Sequence, residues 1–184
     1  MNFLKTKVDG SNRRLAYIYL DYKEAEKQTP TNVLASLICQ LAASAPTLPT
    51  KIAASYEVHK SRNTRPLFEE YAQLLYAIAS ECSKVFIVVD AVDECCEEWR
   101  GMLPKNLRHL QPHACVLLTS RDLPTIQRQL RDATRLEIQA KSGDIEGYLQ
   151  DRLAESERIK SFAAKDPDLC SEITKSITNR AEGM

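Results

Sequence analysis

The chain reads as an α/β domain built on a mainly parallel sheet. Three observations predict it. Short segments rich in β-branched and aromatic residues alternate with longer segments of helical apolar period, the order that builds a parallel sheet covered by helices. Two of the short segments, Val85–Val89 and Ala114–Leu118, are apolar throughout, as in strands buried on both faces. Asp21, Asp90 and Arg121 lie at or just past strand ends, on the carboxyl rim where ligand sites gather in such sheets.

Leu15–Leu20 is aromatic and β-branched and reads as the first strand, ending at Asp21. Thr29 and Pro30 open a helix, Thr as N-cap and Pro at the first helical position. Val33, Leu34, Leu37, Ile38 and Leu41 form its apolar face, and Pro46 and Pro49 end it. A weaker helix spans Ile52 to His59, and Pro66 opens another whose buried face runs from Leu67 and Phe68 through Tyr71, Leu74, Leu75 and Ile78 to Cys82. Strand Val85–Val89 follows, then a helix from about Trp99 to Leu110 that Pro104 interrupts, then the strand from Ala114 to Ser120. A short helix is expected from Pro124 to Leu130. Thr134–Gln139 alternates apolar and polar residues and reads as a more exposed strand. Ser142 caps a helix carrying Ile145, Tyr148, Leu149 and Leu153, and a last helix with Leu169, Ile173 and Ile177 follows the break at Asp166-Pro167.

The length of 184 residues suits one domain with a sizeable core. Twenty-five basic and 25 acidic residues cancel, so no excess of positive charge favours nucleic acid or a membrane surface. No run of 18 apolar residues is present, and Lys5 and Lys7 interrupt what would have to be the core of a secretory signal. None of the six cysteines forms a Cys-x-x-Cys pair, and the adjacent Cys95 and Cys96 lack the spacing of a zinc site. Cys39, Cys82 and Cys115 lie in apolar patterns that predict buried thiols. All six are expected to be reduced, in an intracellular, cytoplasmic protein. His59, His109 and His113 show no metal-ligand pairing.

Chemistry concentrates at Val85–Glu94. Five apolar residues followed by Asp90 make a Walker B-type pattern, in which a rigid strand holds one carboxylate where it can position Mg²⁺ beside nucleotide phosphates. Asp90 can equally cap a turn, as strand-terminal Asp residues often do. Asp93 and Glu94 follow in the next turn, at the offset of an acid that polarises attacking water. Crowded acids repel unless a cation offsets them, and Arg121, after the next strand, is the natural offset. Arg121 either meets a γ-phosphate or pairs with Asp90, Asp93 or Glu94 as a structural ion pair.

Val85–Glu94, with Cys95, resembles the extended Walker B of NACHT-type NTPases, where a hydrophobic strand is followed by Asp, a small residue, a hydrophobic residue, Asp and Glu. Leu117–Arg121 resembles the sensor 1 strand of the same group. Ala16–Lys23, with Gln28-Thr29-Pro30, is similar to the strand and helix after the first helix of fungal members, described as nephrocystin-3-like N-terminal domains. Asp144-Ile145, Tyr148-Leu149 and Arg152 resemble their helix after the fifth strand. The resemblance implies a partial P-loop NTPase three-layer α/β/α sandwich, of STAND class, over residues 1–155, with 156–184 as the start of a further helical region. It also implies a nucleotide-dependent signalling switch and oligomerisation module, with ankyrin or WD40 repeats elsewhere in family members. On this reading Asp90 holds Mg²⁺, Asp93 or Glu94 positions water, and Arg121 senses the γ-phosphate of Mg-ATP or Mg-GTP.

The resemblance also has a gap. None of the five glycines begins a G-x-x-x-x-G-K-[ST] loop, whose backbone N–H groups and Lys cradle phosphates. The resemblance places residues 1–8 at the tail of the first helix, so the first strand is expected to be missing from the 5-1-4-3-2 sheet, as in an incomplete gene model. That arrangement implies a marginal fold, or closure of the gap by Thr134–Gln139. In isolation the chain is expected neither to bind nucleotide tightly nor to act as an enzyme. The alternative is a non-enzymatic module that docks to full-length NACHT-type relatives or to itself, with no nucleic-acid or membrane partner.

Overall fold

Three strands form one parallel sheet in the order β1-β2-β3. They are β1, Arg13–Tyr19; β2, Lys84–Asp90; and β3, Ala114–Leu118. The computed structural model describes residues 6, 8, 12–139 and 141–181. Tyr19 lies opposite Asp90, and Val89 opposite Leu118, so the carboxyl ends of the strands form one rim. The order is that expected for strands two, three and four of the 5-1-4-3-2 sheet. Of residues 1–8, expected to be a helix tail, only Thr6 and Val8 are described, and both are helical.

Helix α1, Pro30–Ala43, begins as its residues dictate: the Thr29 hydroxyl accepts the Asn32 N–H at 3.3 Å and Pro30 occupies the first helical position. Its face of Val33, Leu34, Leu37, Ile38 and Leu41 is buried. Each such side chain adds roughly 1.5–3 kcal/mol of hydrophobic stabilisation. α1 packs on β1 and on α3, Phe68–Glu81. Between them α2, Thr50–Arg62, has no buried residue and ends at Asn63, whose left-handed backbone is a usual C-cap. At the start of α3 the Glu70 carboxylate accepts the Leu67 N–H at 2.6 Å.

The helix expected between Trp99 and Leu110 is two helices, α4 Glu97–Arg100 and α5 Met102–Arg108. The break falls at Gly101. Pro104 sits in the first turn of α5, where no intrahelical N–H is required, and so does not interrupt it. α6, Pro124–Gln129, follows β3.

The core lies on one face of the sheet. Ala16, Val85, Ile87, Val89 and Ala114 join α1, Leu75 and Ile78 of α3, and Leu103 and Leu107 of α5 in one buried cluster. Strand alternation puts Leu15, Tyr17, Tyr19, Phe86, Val88, Cys115 and Leu117 on the other face. There Val88 is buried, but Tyr19 and Leu117 are 54% and 56% exposed. The unbroken apolar runs of β2 and β3 predict two covered faces; among the described residues the core cluster covers one, and the other is buried at Val88 and open at Leu117. Cys39 and Cys115, expected to be buried, are exposed; Cys82 is buried, and all six cysteines are free.

The chain divides into two compact units, residues 1–133 and 134–184. The second contains α7 Ser142–Glu155, α8 Glu157–Ala163 and α9 Leu169–Ala181. The expected boundary at 155/156 falls between α7 and α8. Thr134–Gln139, expected to be a strand, makes no ladder, and Leu136 and Ile138 are 81% and 84% exposed. Alternation selects which side chains would face a core but supplies no neighbouring strand, and without one the segment stays irregular. Among the described residues no helix is long and apolar enough to cross a membrane.

Candidate functional site

At the rim, β2 ends on Asp90 and the chain turns sharply through Ala91 into a single 3-10 turn, Val92–Glu94. Ala91 has φ 57° and ψ 51°, the left-handed region that costs a residue with a Cβ about 1–2 kcal/mol. The turn is held from the β3 side. Thr119 Oγ1 accepts the Ala91 N–H at 2.9 Å and donates to Asp90 Oδ1. The Val92 N–H donates to the Thr119 carbonyl at 2.9 Å. Thr119 thus orients the Asp90 carboxylate, which is half-buried and leaves Oδ2 without a hydrogen bond among the described residues.

The two acids of the turn point to different partners. Asp93 is 7% exposed. Its Oδ1 accepts the Arg121 backbone N–H at 3.0 Å and its Oδ2 accepts Arg121 Nε at 2.5 Å. Burial pushes the Asp93 carboxyl up, but the hydrogen bonds and charge of Arg121 outweigh it and leave Asp93 below the usual carboxylate range. The same pairing raises the Arg121 guanidinium. Glu94 faces β1: its Oε2 accepts the Tyr22 N–H at 3.1 Å. Asp21 caps the neighbouring turn, accepting the Lys23 N–H at 2.9 Å.

All four residues singled out in the sequence, Asp90, Asp93, Glu94 and Arg121, therefore stand on one rim with Asp21. The ion-pair reading of Arg121 is the arrangement observed, with Asp93 as its partner. Thr119 was missed as a site residue. A hydroxyl at the end of the strand beside the acidic one was the available signal, because parallel register brings the two ends together. The donors suit the metal side of a nucleotide site: one strand-end carboxylate with a free oxygen, and a second, Glu94, in the next turn. They do not complete a protein-only metal cage, since no group of three or more His, Cys, Asp or Glu converges among the described residues. No Gly-rich phosphate loop with its Lys is present in the sequence. A separate groove of about 640 Å³ in the second unit, lined by Leu153, Ile159, Cys170 and Thr174, contains none of the rim residues.

The sheet manages its two edges differently. On β1 two glutamines take the place of a strand. Gln40 accepts the Tyr17 N–H at 3.0 Å and donates to its carbonyl at 2.8 Å. Gln28 accepts the Asp21 N–H at 2.8 Å and donates to the Tyr19 carbonyl at 3.0 Å. On β3, the Thr119 N–H donates to Val89 and the His113 carbonyl accepts from Val85, so odd-numbered residues face β2. The peptide groups of Val116 and Leu118 then point outward, with no hydrogen bond among the described residues.

Residues 1–121 match the family model described as "Nephrocystin 3, N-terminal". No curated protein matches the chain.

Proposed function

Because the chain belongs to the nephrocystin 3 N-terminal family, we propose that it forms the metal- and water-facing side of a NACHT-type, STAND-class nucleotide switch of the P-loop kind. The observation that carries this reading is Asp90, fixed at the end of β2 by Thr119 and flanked by Glu94 and the Asp93–Arg121 pair. In this reading β2 is the Walker B strand and Asp90 would hold Mg²⁺. Both Asp93 oxygens are engaged by Arg121, so Glu94 is the acid that positions water, and Asp93 aims Arg121. The exposed guanidinium then meets the γ-phosphate and reports its presence. The phosphate cradle comes from outside these 184 residues. A Mg-nucleotide bound there supplies the charge neutralisation of phosphoryl transfer.

Calorimetry tests the reading in two arms. The chain alone is expected to bind neither Mg-ATP nor Mg-GTP in the micromolar range. Fusion of a strand–loop–helix bearing G-x-x-x-x-G-K-[ST] is expected to create binding that Asp90→Ala abolishes. Tight binding by the unfused chain that Asp90→Ala abolishes refutes the need for an outside cradle. Fused-chain binding indifferent to Asp90 refutes its metal role.

A second reading, a non-enzymatic module that docks to full-length NACHT-type relatives or to itself, is favoured by the outer edge of β3. Its outward peptide groups at Val116 and Leu118, without a hydrogen bond among the described residues, and the exposed Leu117 offer a template for an added strand. Val116→Pro disrupts that template without adding charge, and loss of co-purification with a full-length relative in this variant is the expected result.

A further inference from the structure

Cys95 and Cys96 join the acidic turn to α4, and the two thiols differ sharply. Cys95 is buried and Cys96 is exposed. The Cys95 N–H donates to Val92 at 3.2 Å, closing the turn that carries Asp93 and Glu94. The Cys96 carbonyl accepts the last two N–H groups of the four-residue α4, from Trp99 and Arg100, both at 3.1 Å, while its thiol makes no cap hydrogen bond. Arg100 Nη2 donates to the Cys95 carbonyl at 3.0 Å. Arg100 Nε is buried with no hydrogen-bond partner among the described residues, an arrangement that cores normally avoid. A guanidinium with unused donor capacity therefore sits against a two-thiol step in the backbone.

We propose that Cys95 and Cys96 form a reversible two-electron modification site, closing to a vicinal disulfide when a hydroperoxide reaches the exposed Cys96. The Cys96 thiolate attacks the peroxide, the O–O bond breaks, and a sulfenic acid and the reduced alcohol or water form. Cys95 sulfur then attacks Cys96 sulfur, the S–O bond breaks, and hydroxide leaves with the Cys95 proton as water. Two thiols and one hydroperoxide give one disulfide, one water and the reduced product. The arrangement divides the work: exposure gives the first thiol access to oxidant, and burial shields the second. Burial foremost, then the adjoining Cys96 thiol, pushes Cys95 up to about 11, with Arg100 pulling the other way. Cys95 therefore waits protonated until its neighbour is oxidised.

Adjacent Cα atoms are only about 3.8 Å apart, closer than the usual disulfide span, so the eight-membered ring is strained and readily reduced. Closing it restricts ψ of Cys95 and φ of Cys96, the hinge between the acidic turn and α4.

The test treats the whole chain carrying Cys39→Ser and Cys115→Ser with hydrogen peroxide, then maps peptides without reduction. Both thiols are expected to disappear together, with loss of two hydrogens in the peptide holding 95 and 96, restored by dithiothreitol. In Cys95→Ser, Cys96 is expected to accumulate as a sulfenic acid that dimedone captures. Capture of Cys96 by dimedone with Cys95 still free in the parent, a cross-link to another cysteine or another molecule, or no reaction at all would each overturn the proposal. The mapping on the parent stands even if a Cys95 variant does not fold.

Discussion

Ala91 shows how much a single residue carries at the rim. Its left-handed backbone lets the chain leave β2 and return at once as the acidic turn, so Asp90 and Glu94 stay within one turn of each other. A β-branched side chain is strained there more than alanine is, whereas glycine is not. Ala91→Val is expected to lower stability by about 1–2 kcal/mol, whereas Ala91→Gly, relieved of the left-handed strain but freer when unfolded, is expected to be neutral or stabilising by up to about 1 kcal/mol, measured by urea unfolding. Asp93 makes a second prediction. Asp93→Asn removes the charge that holds Arg121 and, because the guanidinium is exposed and screened by solvent, is expected to cost about 1 kcal/mol at neutral pH. Because Asp93 is depressed below its ordinary value of 3.8, its contribution is complete above that value and is lost as pH falls through the lower folded value. The gap between wild type and Asp93→Asn should therefore be constant above about pH 5 and close in acid. A gap that stays constant down to the acid transition contradicts the ion pair.

Among the elements, helix α1 and the segment 134–139 carry similar apolar signals with opposite outcomes. Leu37 in α1 is fully buried, and Leu37→Ala is expected to cost about 2–5 kcal/mol. Leu136, with the same side chain in an equally plausible apolar position, is exposed, and Leu136→Ala should stay within about 0.5 kcal/mol. Equilibrium unfolding of the two variants compares them directly. The contrast between the sheet edges has the same origin. Gln28 and Gln40 stand near β1 because the chain returns along it, and their amides satisfy peptide groups that β3 leaves open.

Across the whole molecule, burial is unevenly shared. The first unit holds the entire core cluster, whereas Thr178 and Ala181 are the only buried residues described in the second. The second unit thus has little apolar burial to offset the entropy of ordering its three helices. Limited trypsin digestion is expected to cut first within 131–141. The resulting first unit should keep a cooperative thermal transition, and the second should lose its helical circular dichroism at lower temperature. A single transition lost as a whole on the first cut would contradict this division.

Much of this was legible in the residues. Periodicity, caps and apolar runs located α1, α3, β2 and β3, because those preferences act over a few neighbouring residues. The residue types at strand ends marked Asp90, Asp93, Glu94 and Arg121 as one constellation, because parallel strands end on a common rim. Those same residues left open whether Arg121 pairs with an acid, and the answer came from a through-space contact 28 positions apart. Which face of the sheet is covered, which cysteines are buried, and whether Thr134–Gln139 finds a strand to pair with are likewise outcomes of distant neighbours. A side chain's chemistry and local period are written in the chain; its hydrogen-bond partner and its access to water exist only once the chain has packed.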